Sequence, residues 1–343
     1  MKKRIIAIVI ARMSSTRLPG KVLIDICGRP MLGHIVDRLR RVKSIDEIVL
    51  ATTNKNEDKP LIEFAKREKI KSFAYKGDPE DVVNRIRKTA ERFYADIIVN
   101  VNGDCPLINP STIENLIQAL IMHNAERALT SQVNGRRHEG VDIFTLRAWQ
   151  KVDENSTKSY QRQNTTGCLH ERPDILRTVE IEDEPIFYEL NHRIWVDTPA
   201  DLNFIREIYK RLYKPGEIVD LRKVIRLLQK EPELMEINSY VRQKKLQDKS
   251  KKIVFRADAS REVGMGHIMR CLALAQQLQE YHFCGVNFVT KSSNGVVDMI
   301  RERGFGVKVL PQGISKNDEL NEVVNFSQDY GADRIILDLK GNI

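Results

Sequence analysis

The chain has 343 residues, 41% hydrophobic and 30% charged, and its 56 Lys and Arg against 47 Asp and Glu leave a formal charge of +9. That length accommodates two domains with cores of their own, and no apolar run reaches the length of a membrane span. The five cysteines (Cys27, Cys105, Cys168, Cys271, Cys284) are scattered and lack a Cys-x-x-Cys pair, which argues against a zinc site or a disulfide framework and for a reduced, cytoplasmic protein. The basic start Met1-Lys2-Lys3-Arg4 leads into a strand and does not read as a signal peptide. A positive balance suits acidic small substrates as well as nucleic acid. Aromatics make up only 6% of residues and are not interleaved with the basic clusters, so neither a nucleic-acid nor a membrane partner is expected.

The first element is the β-branched run Ile5 to Ile10, a buried strand of a parallel sheet. Ala11-Arg12-Met13-Ser14-Ser15-Thr16-Arg17-Leu18-Pro19-Gly20-Lys21 follows it, where ligands gather in open α/β sheets. Three cations (Arg12, Arg17, Lys21) and three hydroxyls (Ser14, Ser15, Thr16) in eleven residues suit a polyphosphate. This is not a Walker loop, because no Gly-Lys-Ser/Thr opens a helix. A helix is expected over Pro30 to Val42, with His34 as a surface or capping residue. Ile48 to Ala51 reads as a strand ending in Thr52-Thr53-Asn54. A helix over Asp58 to Lys69 and a strand over Lys71 to Tyr75 follow. The next helix is expected to take Asp78 as N-cap, with Pro79 at its first position.

A further strand ends in Asn102-Gly103-Asp104-Cys105-Pro106-Leu107. Its carboxylate Asp104, at a strand end facing an Arg/Lys loop, is suited to Mg²⁺, which takes oxygen ligands and shares its shell with phosphate. A helix over Pro110 to Asn124 and a strand near Ala128 to Gln132 continue the alternation. A strand is expected to end at Val196, with Asp197 beyond it and a helix from Thr198-Pro199. Helices are then expected around Leu221 to Lys230 and Glu233 to Leu246. Gln247-Asp248-Lys249-Ser250-Lys251-Lys252 is a basic linker. A second alternation begins at Ile253-Val254-Phe255, with a helix opened by Gly264-Met265-Gly266-His267 and strands near 286–289, 306–310 and 334–337.

The first loop, continued by Val22-Leu23 and then Gly28-Arg29-Pro30-Met31-Leu32, resembles the sugar-nucleotide cytidylyltransferases. The nearest branch is that of spore-coat polysaccharide biosynthesis, related to the CMP-sialic-acid and CMP-Kdo synthetases. The resemblance covers roughly residues 4 to 213, with Ser14 where glycine is usual. It implies an α/β fold: a Rossmann-like nucleotidyltransferase domain with a mixed, mostly parallel sheet flanked by helices. It also implies Mg²⁺-dependent transfer of CMP from CTP to a sugar acid of nonulosonic type, with release of pyrophosphate. Asp104 and Asp197 would be the metal carboxylates, the latter in Trp195-Val196-Asp197-Thr198-Pro199-Ala200-Asp201-Leu202. Arg12 and Lys21 join them as catalytic residues. Ala11, Arg12, Ser14, Ser15, Thr16, Arg17, Lys21, Thr52, Asn54, Asp81 and Arg85 would surround the nucleotide, the last two in a Gly-x-x-x-Asp-Val-x-x-Arg segment.

The acceptor side is expected at Asp142, in Gly140-Val141-Asp142-Ile143-Phe144, and at Arg162 and Thr166, in Arg162-Gln163-Asn164-Thr165-Thr166. Phe144 replaces a usual Glu, and Gln163 and Asn164 replace Glu and His, so this part of the acceptor pocket should differ. His138, His170 and His192 could be acceptor-side donors by chemistry, but an exposed histidine is the ordinary explanation for each. The partners implied are CTP and an acidic sugar, and the family leaves room for a homodimer. Two alternatives stay open: a non-catalytic nucleotide-binding scaffold, and a nucleotidyltransferase for another sugar or base.

Residues from Phe255 resemble the start of the UDP-sugar hydrolase of the pseudaminic-acid pathway, a glycosyltransferase-B-type fold with two Rossmann-like halves. The segment Phe-Arg-Ala-Asp-Ala-Ser, then Gly-x-Gly-His-x-x-Arg-Cys, carries it. That implies roles for Asp258, Gly264, Gly266 and His267, the histidine as base. The expected division is therefore 1–240, a linker over 241–252, and an incomplete Rossmann half-domain over 253–343. No sugar-nucleotide hydrolase activity is expected of that half-domain alone.

Overall fold

The computed structural model describes residues 2–15, 17–131, 140–190, 192–241, 251–259, 264–282, 284–292 and 294–339. Thr16, His138 and most of the basic linker lie outside the described residues. The chain divides into two compact units. The first comprises Met1–Met13, Gly20–Val196 and Asp201–Ser239; the second comprises Ser14–Pro19, Asp197–Ala200 and Tyr240–Ile343.

In the first unit the strands are β1 (Ile5–Ile10), β2 (Asp25–Ile26), β3 (Arg29–Pro30), β4 (Glu47–Thr53), β5 (Lys71–Tyr75), β6 (Ile97–Asn102), β7 (Arg127–Thr130), β8 (Val141–Thr145) and β9 (Thr178–Ile181). The helices are α1 (Met31–Leu39), α2 (Lys59–Arg67), α3 (Val82–Arg92), α4 (Pro110–Met122), α5 (Leu146–Asn155), α6 (Ser159–Gln163), α7 (Gly167–Glu171), α8, which begins at Pro199 and runs to Leu212, and α9 (Leu221–Lys230). Seven strands form one sheet in the order β5-β4-β1-β6-β8-β7-β9. β1 pairs in parallel with β4 and β6, whereas β8 runs antiparallel to both β6 and β7. The sheet is thus mixed and mostly parallel, with helices against it.

The central strands are apolar without alternation because both their faces are covered. Ile6, Ile8, Val49 and Ile98 pack under Val83 and Ile86 of α3 and Ala148, Trp149 and Val152 of α5. The Trp149 indole N–H donates to the Val83 carbonyl at 3.0 Å, which satisfies the one polar atom of that buried ring. Phe144 belongs to this core, edge-on to Trp149 with centroids 4.9 Å apart. The expectation that its substitution alters an acceptor pocket is therefore corrected: its side chain is wholly buried in the hydrophobic core.

Other expectations change for local reasons. Asp81, not Asp78, caps α3, accepting from the Asn84 amide at 3.0 Å, while Asp78 accepts the Glu80 amide in the preceding turn. His34 is a core residue: it is 3% exposed, its Nε2 lies 2.8 Å from the Ile26 carbonyl, and its ring meets Tyr209 and Tyr213. Burial pulls its pKa below the ordinary value. The segment before Asp197 is not a strand, and the region after Glu231 forms a 3-10 turn over Pro232–Ile237 where a longer helix was expected.

At the end of β6, Gly103 donates to the Ile10 carbonyl at 3.0 Å, and a Cβ there would stand 2.6 Å from that same oxygen. Only glycine lets the ends of β1 and β6 approach this closely. Gly103→Ala should destabilise the first unit by about 1–3 kcal/mol, the usual range for overpacking. A urea-unfolding midpoint equal to that of the unaltered chain would refute this.

The second unit holds β10 (Lys252–Ala257), β11 (Gly285–Thr290), β12 (Gly306–Val309) and β13 (Arg334–Asp338), with α10 (Gly266–His282), α11 (Asn294–Glu302) and α12 (Lys316–Tyr330). Its four strands are all parallel, in the order β12-β11-β10-β13. Phe255 and Phe288 face α10 and α11 residues on one side, and Val254 and Val289 face Val323 on the other. This is a Rossmann-like sheet with cores on both faces.

Candidate active site

The loop after β1 is tied at its base. Ala11 donates to Ala51, and Gly20 donates to Met13 at 2.9 Å. Gly20 takes φ +68, a left-handed conformation that favours glycine, and it turns the chain into the 3-10 helix that starts at Lys21. Lys21 Nζ reaches Asp104 Oδ2 at 2.8 Å and also donates to the Val196 carbonyl at 2.9 Å. The Val196 amide in turn donates to the Asp104 carbonyl at 2.9 Å. The loop after β1, the end of β6 and the segment leading to Asp197 are therefore bound to one another. Arg12 pairs with Glu80 on the approach to α3. In the second unit, Arg17 pairs with Asp197 at 2.8 Å. Each of the three loop cations thus stands against a carboxylate.

Arg85 is almost wholly buried on α3. Its Nη2 donates to the Pro79 carbonyl at 3.1 Å, and its Nε has no hydrogen-bond partner. Burial, and secondly the charge of Arg12, lower its pKa to about 10, so it remains a cation at neutral pH. Asp58 and Glu80 act in the opposite direction, and Glu80 already pairs with Arg12, so cations and carboxylates are held together at this end of the sheet. Asp81 is engaged by its own cap and by Arg162 at 2.6 Å. Thr52 is fully buried with its hydroxyl unpartnered, whereas Asn54 is exposed just past β4. Ser14 is exposed, and the Ser15 hydroxyl accepts from the Leu18 amide at 3.4 Å.

On the expected acceptor side, Asp142 pairs with Arg127 at 2.7 Å, and Arg162 bridges Asp81 and Asp153. Arg162 thereby joins α6 to the start of α3. Thr166 is half-buried before α7, His170 is exposed, and His192 lies 2.5 Å from Asn238 Oδ1. In the second unit, Asp258 accepts both arms of Arg256, the Thr290 hydroxyl and the Lys291 amide. Gly264 has φ +78 just ahead of Gly266, where α10 begins.

Asp58 was invisible to sequence reasoning. Its side chain is buried, with Oδ1 accepting the Met13 amide at 2.7 Å and Oδ2 accepting the Thr53 hydroxyl. One carboxylate thus fastens the loop after β1 to the end of β4. Lys55-Asn56-Glu57-Asp58 reads only as a helix approach, and nothing local points to a partner 45 residues away. Asp58→Asn puts an amide N–H where an acceptor is needed. It should weaken nucleotide binding about tenfold, the effect of roughly 1.4 kcal/mol in one charge-assisted hydrogen bond. A nucleotide titration giving the affinity of the unaltered chain would show that the loop holds its shape without Asp58.

The donor set suits magnesium better than zinc. Asp104 and Asp197 supply oxygen only, and among the described residues no group of three or more His, Cys, Asp or Glu is placed to hold a metal. Magnesium takes oxygen ligands and keeps phosphate and water in its shell, so carboxylates of this kind would fit it.

An open, mostly parallel α/β sheet takes its ligands at the carboxyl ends of its strands, where this chain carries the cationic loop after β1. The cytidylyltransferase family model matches residues 6–217, and the chain belongs to that family. It is 31% identical over 242 residues to an uncharacterised protein of Methanocaldococcus jannaschii, covering 70% of this chain and 97% of that one. It is 28% identical over 236 residues to the spore coat polysaccharide biosynthesis protein SpsF of Bacillus subtilis, covering 67% and 95%. The 3-deoxy-manno-octulosonate cytidylyltransferase of Geobacter sulfurreducens is 40% identical over 123 residues, which is 36% of this chain and 48% of that enzyme. A solved cytidylyltransferase structure from Leptospira borgpetersenii superposes with a TM-score of 0.60 at 26% identity, covering 68% of this chain and 97% of that one. Among the described residues no helix is long and apolar enough to cross a membrane.

Proposed function

We propose that the protein transfers CMP from CTP to an acidic sugar, releasing pyrophosphate, in the synthesis of a surface polysaccharide or glycan. The observation that carries this reading is the 2.8 Å pair between Lys21 and Asp104, which joins the cationic loop to the acid at the end of β6. Family membership supports the nucleotide, and the sugar acid named for the Geobacter relative supports the acceptor class. A nonulosonic acid is the first acceptor to test.

In this reading Arg12, Arg17 and Lys21 would leave their carboxylate partners for the triphosphate oxygens, and Asp104 and Asp197 would hold Mg²⁺. When bound, that ion supplies charge neutralisation at the phosphate oxygens. The sugar hydroxyl attacks the α-phosphorus, the new P–O bond forms, and the bond to pyrophosphate breaks. Lys21 and Arg17 then face the charge that grows on the leaving group. Arg85, buried on α3 and within reach of the Arg12 charge, adds a fixed positive field.

The experiment is pyrophosphate release with each of the four nucleoside triphosphates, with and without Mg²⁺, across a panel of sugar acids. Turnover confined to CTP, Mg²⁺ and one acid is expected. Turnover with another triphosphate would change the donor, and nucleotide binding without turnover for every acceptor would favour a scaffold.

A further inference from the structure

The seven-stranded sheet of the first unit ends on one side at β5, whose only neighbour among the described strands is β4. The Asn54 amide, just past β4, donates to the Tyr75 carbonyl at 3.0 Å, so Tyr75 turns its backbone polar groups toward β4. Along a strand these groups point alternately to one side and the other. Ser72 and Ala74 therefore turn their N–H and C=O groups to the open edge. Between that edge and α3 lies a groove of about 680 Å³. Phe73 and Tyr75 line it from β5, and Lys88 and Arg92 line it from α3, where their spacing of four places them on one stripe. Lys76 and Tyr94 also line it. None of these residues belongs to the proposed nucleotide, metal or acceptor sites.

Two features set this groove apart from an ordinary surface. The first is uncompensated charge. Glu91, the acid beside it, is committed to Arg87 at 2.8 Å and to Lys88 at 3.1 Å. Lys76 and Arg92 are exposed and have no hydrogen bond or ion pair among the described residues. The second is Tyr94. α3 ends at Arg92, and Tyr94, two residues on, takes φ +55, the left-handed conformation that closes helices and favours glycine. A tyrosine there gives up stability, and with its ring 77% exposed, packing returns little of it. A bulky residue kept in that conformation beside unpartnered cations points to a use for its ring.

We propose that this edge docks an acidic, extended segment of a partner protein, added to the sheet as a strand beside β5. Ser72 and Ala74 supply the main-chain hydrogen bonds. Lys76, Lys88 and Arg92 meet the carboxylates of the segment, and the Tyr94 ring covers its apolar side chains.

The test is fluorescence anisotropy of a labelled decapeptide that alternates Glu and Val, titrated with the full chain. Saturable binding is expected, and none of the same peptide with Lys in place of Glu. Proline at alternate positions removes the N–H groups an edge strand needs and should weaken binding about tenfold. Arg92→Glu should also weaken it about tenfold. Lys223→Glu, the same charge change at an exposed lysine of α9, should leave it within about twofold. Tyr94→Gly should bind more weakly yet unfold at a higher urea concentration, a combination that damage to the fold does not produce. Equal losses in Arg92→Glu and Lys223→Glu would reduce the contact to bulk charge and overturn the proposal. Failure of the Glu peptide to bind, or unchanged binding in Tyr94→Gly or with the proline peptide, would overturn it too. So would self-association through this face, read as a sedimentation mass that Arg92→Glu halves, because the occupant would then be a second copy of the chain.

Discussion

Asp104→Asn and Asp197→Asn are each expected to lower turnover by about 100-fold or more while leaving the unfolding midpoint within the range of surface substitutions. Amide in place of carboxylate keeps the shape and removes the charge, so the proposed Mg²⁺ would lose an anionic ligand in either variant. The double variant should be little worse than the worse single one, because groups acting as a unit lose their joint contribution once. Both carboxylates already face a cation, Lys21 and Arg17 respectively. A purely structural role would therefore appear as lost stability with activity per folded molecule preserved. Single-turnover pyrophosphate release beside urea unfolding separates the two. Near-normal turnover in either single variant would remove that residue from the metal site.

Lys21→Ala is the second large effect. Lys21 is largely buried, and its ammonium bridges the Asp104 carboxylate and the Val196 carbonyl. On the proposed function its loss would take a cation from the triphosphate, and it leaves the Asp104 charge with less compensation in a partly desolvated position. Both weaken the nucleotide complex, and turnover should fall by about 100-fold, the scale for removing one charge-directed donor from a transition state. Lys66→Ala is the control: its exposed pair with Glu63, three residues away on α2, contributes little. Equal CTP affinity and turnover in the Lys21 and Lys66 variants would refute a phosphate role for Lys21.

Much of the fold was legible because it is written in local pattern. β1 and β5 have the expected bounds, Ile5–Ile10 and Lys71–Tyr75, and α9 spans the expected Leu221–Lys230. A strand covered on both faces must be apolar throughout, and an amphipathic helix must repeat its apolar residues near every third or fourth position. The loop proposed to bind phosphate stands out for the same reason: its cations, hydroxyls and turn residues lie within eleven consecutive positions.

What sequence alone determined is therefore the alternation of strands and helices in the first half of the sheet and the clustering of cations and hydroxyls after β1. Tertiary structure decided which of several equivalent local choices was used. Asp78 and Asp81 are both competent helix caps, and Asp81 holds the cap while also pairing with Arg162, 81 residues away. His34 is polar enough for a surface, yet Tyr209 and Tyr213 close over it. Phe144 stands in a motif but fills the core beside Trp149. Asp58 reaches Met13, and Asp338 reaches His267, across 45 and 71 residues. A carboxylate's partner depends on which backbone the fold brings within 3 Å, and no spacing along the chain encodes that distance.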